Sequence, residues 1–306
     1  MHRLALLRSA ALALLLGHAA CAPRAFLPAC HESPDEHVPL TLREGFPVVP
    51  VQMNGQALPF LLDTGTSATI LWPETAGRLG LPPDPRRSSI NLGIGGAAEG
   101  PNALVRHFRF GGRDIERISL PVPRGSARPA PQAGLIGADL LRDRDLEFDL
   151  PGRRVLLRPP SPCRPLPGWD GAFERIDVRI TPSGLVTLPV RIGGQTFQAL
   201  LDTGAQRSVI KTPAARQAGA PEAVLEAVPV GTAFGVGPGQ LPVRAWPDPP
   251  MQVGSETLRG MTLLVADLPE AVTGDLVLGL DYFATRRILL SYATQTLFVQ
   301  PATPAP

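Results

Sequence analysis

The sequence predicts an all-β protein made of two homologous lobes on one chain. Three observations carry this reading: an internal repeat without gaps, a succession of short strand-and-turn patterns, and a composition with 36 prolines and 31 glycines among 306 residues. VVPVQMNGQALPFLLDTG (48–65) lies over TLPVRIGGQTFQALLDTG (187–204). Pro50, Val51, Gly55, Gln56, Leu61, Leu62, Asp63, Thr64 and Gly65 meet identical residues at Pro189, Val190, Gly194, Gln195, Leu200, Leu201, Asp202, Thr203 and Gly204. Further on, GLIGADLL (134–141) answers VLGLDYF (277–283) after a short insertion. Apolar residues make up 44% of the chain, enough for a packed core. The formal net charge is +2, Lys211 is the sole lysine, and the arginines are scattered, so no basic stripe marks a nucleic-acid partner.

Residues 1–21 read as an export signal: MHRLALLRS is positive, AALALLLG is apolar, and HAAC ends on small residues. The apolar run is too short, and too interrupted by Arg8, for a membrane span. Cys21 after Ala19 and Ala20 resembles a bacterial lipoprotein cleavage site, although His18 stands where that pattern has an apolar residue. Lipidation at Cys21 and ordinary cleavage near Ala19 to Ala22 are both open. Either places the protein outside the cytoplasm, periplasmic or lipid-anchored to the envelope of a bacterium. Residues 22–37 form a polar tether; its HESPDEH (31–37) gathers two histidines and three acids, which a solvated arm explains better than a metal site. Neither a metal nor a cofactor is assigned to the chain. Cys30 and Cys163 remain as an even pair, each shortly before one half, and are a candidate disulfide with free thiols as the alternative.

The N-terminal lobe spans 38–157 and the C-terminal lobe 173–300, with a tail at 301–306. The proline-dense RPPSPCRPLPGW lies in the linker assigned to 158–172. In each lobe an alternating apolar strand, a glycine turn and a second apolar strand read as a hairpin that runs into Asp-Thr-Gly; LPVRI, Gly193-Gly194 and TFQALL show it most clearly. PETAGRLG and TPAARQAG have the pattern of one or two helical turns. An apolar-Gly-x-Asp block and a final strand pattern close each lobe, LEFDLPGRRVLL in one and ILLSYATQTLFV in the other.

These residues resemble the retroviral-type aspartic proteases: a hairpin, an apolar strand, DTG followed by Thr or Ala, and about 70 residues later a hydrophobic-hydrophobic-Gly segment opening a short helix. The resemblance covers roughly 45–157 and 184–299 and implies a β-barrel-like lobe in each half, with one active site between them. Each lobe then gives one aspartate, Asp63 and Asp202, as the two subunits do in the viral homodimers. Both halves sit on one chain, as in the pepsins, so a monomer suffices. By resemblance, Thr64 and Thr203 interlock across the lobes. SINLGIGGAAEGP (88–100) and TAFGVGPGQ (232–240) resemble glycine-rich flap tips, with Gly93, Ile94, Gly95 and Gly96 in one and Phe234, Gly235, Val236 and Gly237 in the other. Tyr282 and Tyr292 both fall near the C-terminal block, so neither flap carries a pepsin-type tyrosine.

The chemistry explains why two such motifs are needed. An aspartate at the end of an apolar run is costly to bury as an ion. Two carboxyl groups held near each other share one proton, and the pair can both activate water and protonate a leaving group. Gly65 and Gly204 let the backbone approach the carboxylates. Thr66 carries a hydroxyl where Ala205 does not, which leads to the expectation that Thr66 donates to Asp63 and makes it the more acidic member. Ser67 and Ser208 follow the two loops, but no histidine is placed to activate them. The glycines at 93 and 95 with Ala98 only mimic a dinucleotide fingerprint, since no βαβ unit surrounds them. Asp139 and Asp281 read as supports for their short helices. The implied function is an endopeptidase acting on extended peptides, against the alternative of an inactive exported protein that binds a peptide or envelope ligand in the same cleft.

Overall fold

The computed structural model describes residues 35–125, 131–150, 152–159 and 169–301. Cys21, Cys30 and Cys163, with the export signal and most of the tether and proline-rich linker, lie outside them. No helix among the described residues is long and apolar enough to cross a membrane.

Each lobe is built on the hairpin that the repeat encodes. In the N-terminal lobe strand Phe46–Met53 pairs antiparallel with Gln56–Leu62, Val48 facing Leu61 and Met53 facing Gln56. The C-terminal counterpart pairs Val186–Ile192 with Gln195–Leu201. Alternation sorts the side chains: Val49, Val51, Met53, Phe60 and Leu62 enter the main core, while Leu61 turns to the opposite face. The short apolar segment of the second motif then runs parallel beside the end of the hairpin. Gly134–Ile136 pairs with Phe60 to Leu62, and Leu276–Leu278 pairs with Ala199 to Leu201. This places the two aspartates at strand ends held from both sides. The helical turns fall where the sequence put them, at Pro73–Arg78 and Thr212–Gln217, each with proline in its first turn.

A six-stranded sheet joins the lobes. Its order runs from Glu36–Pro39 through Arg154–Arg158, Asp145–Asp149, Arg286–Ser291 and Thr296–Pro301 to Glu174–Asp177. The lobes meet in its middle, where Phe148 faces Ile288 and Asp149 faces Arg287. Glu36 and His37, assigned to the tether on composition, are already strand residues, because their main chain pairs with Leu157 and Leu156. The sheet packs Phe148 edge-on against Phe283 at 5.8 Å, and one continuous core spans both lobes. On this sheet Glu147 is fully buried, yet it accepts hydrogen bonds from the Trp169 indole (3.0 Å), the Arg287 guanidinium (2.6 Å) and Arg158. A buried carboxylate with two cations and a ring N–H is fully compensated, which is the condition for its presence there.

Candidate active site

Asp63 and Asp202 end the two hairpins and face each other across the lobe junction. Their main-chain N–H groups bond to Ile136 and Leu278, each at 3.0 Å, so the parallel strand of each lobe fixes the aspartate that precedes the loop. The adjoining threonines lock the loops together. The Thr64 hydroxyl donates to the Leu201 carbonyl (2.7 Å) and accepts from the Thr203 N–H (3.1 Å). The Thr203 hydroxyl donates to the Leu62 carbonyl (2.6 Å) and accepts from the Thr64 N–H (3.1 Å). Both threonines have no exposed surface. Four buried main-chain groups are thereby satisfied by two hydroxyls, with no freedom left for one lobe to slide on the other.

The glycines of the two loops are required by space. A Cβ on Gly65 would lie 2.2 Å from the Asp202 carboxyl carbon, and one on Gly204 would lie 2.5 Å from that of Asp63. Each loop therefore presses its backbone against the other lobe's carboxylate. Gly65 N–H donates to Asp63 Oδ1 at 2.9 Å; Gly204 and Ala205 N–H donate to Asp202 Oδ1 at 2.7 and 3.1 Å.

Burial raises both carboxyls above the usual 3.8, and the charge on Asp202 lifts Asp63 well above it. The Gly65 and Thr66 main-chain N–H groups only partly hold Asp63 down, while Gly204, the hydrogen bond from Asp63, and Ala205 favour the charged form of Asp202. Each carboxyl therefore holds a proton more readily than a free aspartate, and the pair titrates together. The expectation that the Thr66 hydroxyl would make Asp63 the more acidic member is corrected: that hydroxyl donates to the Ala68 carbonyl at 3.4 Å and leaves Asp63 alone.

Behind each loop a second clamp holds the motif. Asp139 Oδ1 accepts from the Thr69 N–H (2.8 Å) and hydroxyl (2.7 Å), and that hydroxyl accepts from Gly137 N–H. Asp281 does the same for Ser208, whose hydroxyl lies 2.7 Å away and accepts from Gly279 N–H. These aspartates thus tie their short helices back to the segments that follow the Asp-Thr-Gly loops, a role wider than supporting the helix. Sequence reasoning missed Thr69 altogether and weighed Ser208 only as a nucleophile. The signal was available, since both are hydroxyl residues at matching places in the repeat.

The tips of the two glycine-rich loops meet. Strands Pro83–Gly93 and Gly96–Phe110 form one hairpin; Gly231–Ala233 and Leu241–Pro247 flank the other loop. Their tips are bonded to each other: Gly95 N–H donates to Val236 O (3.0 Å), and Gly239 N–H donates to Gly95 O (2.8 Å). The approach is so close that a Cβ on Gly237 would lie 2.5 Å from the Gly95 carbonyl carbon, and one on Gly93 would lie 2.6 Å from the Val236 oxygen. Ile94 packs on an apolar patch of the C-terminal lobe that includes Leu200, Val209 and Val277. Val236 packs reciprocally on a patch of the N-terminal lobe formed by Leu61, Ile70, Trp72 and Leu135. The remaining tip residues follow suit: Gly235 abuts Ile94, Gly96 turns with φ +95°, and Phe234 is 42% exposed on the outer side.

Two β lobes, a paired Asp-Thr-Gly and a double roof define a bilobal protein of the retropepsin-like aspartic class. The family model described as aspartyl protease matches residues 49–140 and 188–282, once in each lobe and together over more than half of the chain. The chain belongs to the aspartyl protease family. Its fold is similar to that of the aspartic proteinase from Irpex lacteus, with a TM-score of 0.59 at 14% identity, covering 88% of this chain and 98% of that one. Comparison with curated protein sequences gave no match.

Proposed function

We propose that this protein is an aspartic endopeptidase in which Asp63 and Asp202 activate one water molecule for attack on a peptide bond. The single observation that carries the reading is the pair of aspartates, one from each lobe, held together between loops that Thr64 and Thr203 interlock. The ionised member of the pair takes a proton from water as the oxygen attacks the scissile carbonyl carbon. The protonated member hydrogen-bonds the carbonyl oxygen and gives up its proton as that oxygen becomes a hydroxyl. The diol collapses with cleavage of the C–N bond, and the proton taken from water passes to the departing amine, while the other carboxyl recovers its own from the hydroxyl. The flap tips exclude bulk water from this sequence. Opening them exposes apolar walls on either side of the dyad, which suits an extended peptide strand.

The export signal supports action outside the cytoplasm, on proteins of the periplasm or envelope, with lipidation at Cys21 as the anchoring variant. The reading is tested by digesting a mixed peptide library in water enriched in 18O. One heavy oxygen in each new C-terminal carboxyl, abolished in Asp63→Asn and Asp202→Asn, is the expected result. No cleavage by the wild-type protein, or cleavage equal in all three, rejects it in favour of ligand binding in the same cleft.

A further inference from the structure

The repeat makes the two walls beside the dyad comparable position by position, and they differ in one chemical respect. Trp72, two residues beyond Ile70 in the N-terminal lobe, corresponds to Lys211 in the other. The Trp72 side chain lines the patch under Val236 and is only 8% exposed, yet its indole N–H has no hydrogen-bond partner. Lys211 is satisfied, its ammonium donating to the Val272 carbonyl at 2.8 Å. The roof shows the same contrast. Aligning the tips Leu92-Gly93-Ile94-Gly95 and Phe234-Gly235-Val236-Gly237 sets Asn91 over Ala233. Strand alternation turns Ile90 and Leu92 outward, 67% and 64% exposed, and Asn91 inward. The Asn91 amide nitrogen is buried and unpartnered, while Ala233 packs into the apolar patch of the C-terminal lobe.

Two buried donors without acceptors therefore belong to the wall and tip of one lobe, and the corresponding places in the other hold Lys211, whose ammonium is already bonded to Val272, and Ala233. A buried unpaired donor is costly, and the cost is recovered when a ligand brings the acceptor. We propose that the cleft is chemically asymmetric: the N-terminal lobe takes a substrate side chain ending in a neutral acceptor, a carboxamide or hydroxyl, and the C-terminal lobe takes an aliphatic one. Trp72 and Asn91 are the residues that set this specificity. A carboxylate is disfavoured at the same place, because it would lose its hydration on an apolar wall beside a dyad that already carries one negative charge. This assignment rests on the proteolytic reading for its substrate, and its test is arranged to stand apart from it.

The test uses non-cleavable reduced-amide peptides in pairs that differ only by Gln or Met, two side chains of similar length, at each position flanking the reduced bond in turn. Affinity is measured for wild type, Trp72→Phe and Asn91→Ala, with cleavage of the parent amides followed in parallel. The expected result is a preference for Gln of about tenfold, the worth of one net hydrogen bond, at one position only. That preference shrinks in both variants while Met binding is retained. Binding of the Gln peptide also shifts tryptophan emission in wild type and not in Trp72→Phe, which keeps Trp169 and Trp246. Equal affinity for Gln and Met at every position, a preference untouched by both substitutions, or no binding of either peptide overturns the proposal. Selective binding without cleavage upholds the asymmetric cleft and removes the catalytic reading instead.

Discussion

Replacing Thr203 by valine deletes one hydroxyl while preserving shape, so its cost isolates the interlock between the lobes. The hydroxyl donates to the Leu62 carbonyl at 2.6 Å and accepts from the Thr64 N–H at 3.1 Å, and the residue is fully buried. Valine leaves one carbonyl and one N–H unpaired where water cannot reach, at about 1–3 kcal/mol each. The expected loss is about 3 kcal/mol, which moves the urea midpoint down by roughly 1 M for a denaturant slope near 3 kcal/mol/M. Thr203→Ser keeps the hydroxyl and is expected to lose less than about 1 kcal/mol, chiefly from the missing methyl. Equilibrium urea unfolding followed by tryptophan emission measures both. A valine variant within about 0.2 M of wild type, beside a serine variant no better, would refute the argument that these hydroxyls hold the lobes in place.

Further outcomes follow from the same geometry. Gly204→Ala drives a methyl to 2.5 Å from the Asp63 carboxyl carbon, so peptidase activity should fall by about a hundredfold or more while far-ultraviolet circular dichroism keeps the β signature. Glu147→Ala removes the buried carboxylate that Arg158, Arg287 and the Trp169 indole share in the inter-lobe sheet and should cost about 3–5 kcal/mol in denaturant unfolding; a loss under about 1 kcal/mol would mean that this network is dispensable. For pH, the sign follows from proton binding. Asp63 titrates well above 3.8 in the folded protein, so the folded state holds its proton more tightly than the unfolded chain. Stability therefore falls as pH rises from about 3.8 through the raised value. Asp63→Asn should flatten that fall in a series of urea midpoints, whereas identical slopes in the two proteins would show that Asp63 is not raised.

Much of the fold was legible because the repeat is written in local patterns. Alternating apolar strands about a glycine turn gave the hairpins, and PETAGRLG and TPAARQAG gave the helical turns at Pro73–Arg78 and Thr212–Gln217. The dyad was legible for the same reason, as two identical tripeptides at the ends of apolar strands. Pairings between distant segments were not. Nothing in LEFDL or RRILLS says that Phe148 will face Ile288, since any strand edge with matching alternation would serve as well. The direction of a hydroxyl is equally silent in sequence: that of Thr66 donates within its own turn, to the Ala68 carbonyl. The meeting of the flap tips depends on where two lobes place loops built far from their own cores. The unpaired donors of Trp72 and Asn91 emerge only once burial is known.

The proposed chemistry requires that the two aspartates act as a unit on one water. Steady-state cleavage of a single peptide by wild type, Asp63→Asn, Asp202→Asn and the double variant tests it most directly. Residues that act together give non-additive losses. Each single substitution should abolish nearly all turnover, by about a thousandfold or more, and the double variant should be no worse than either. Substantial activity surviving in one single variant, with the two losses multiplying in the double, would show two independent groups and contradict the dyad.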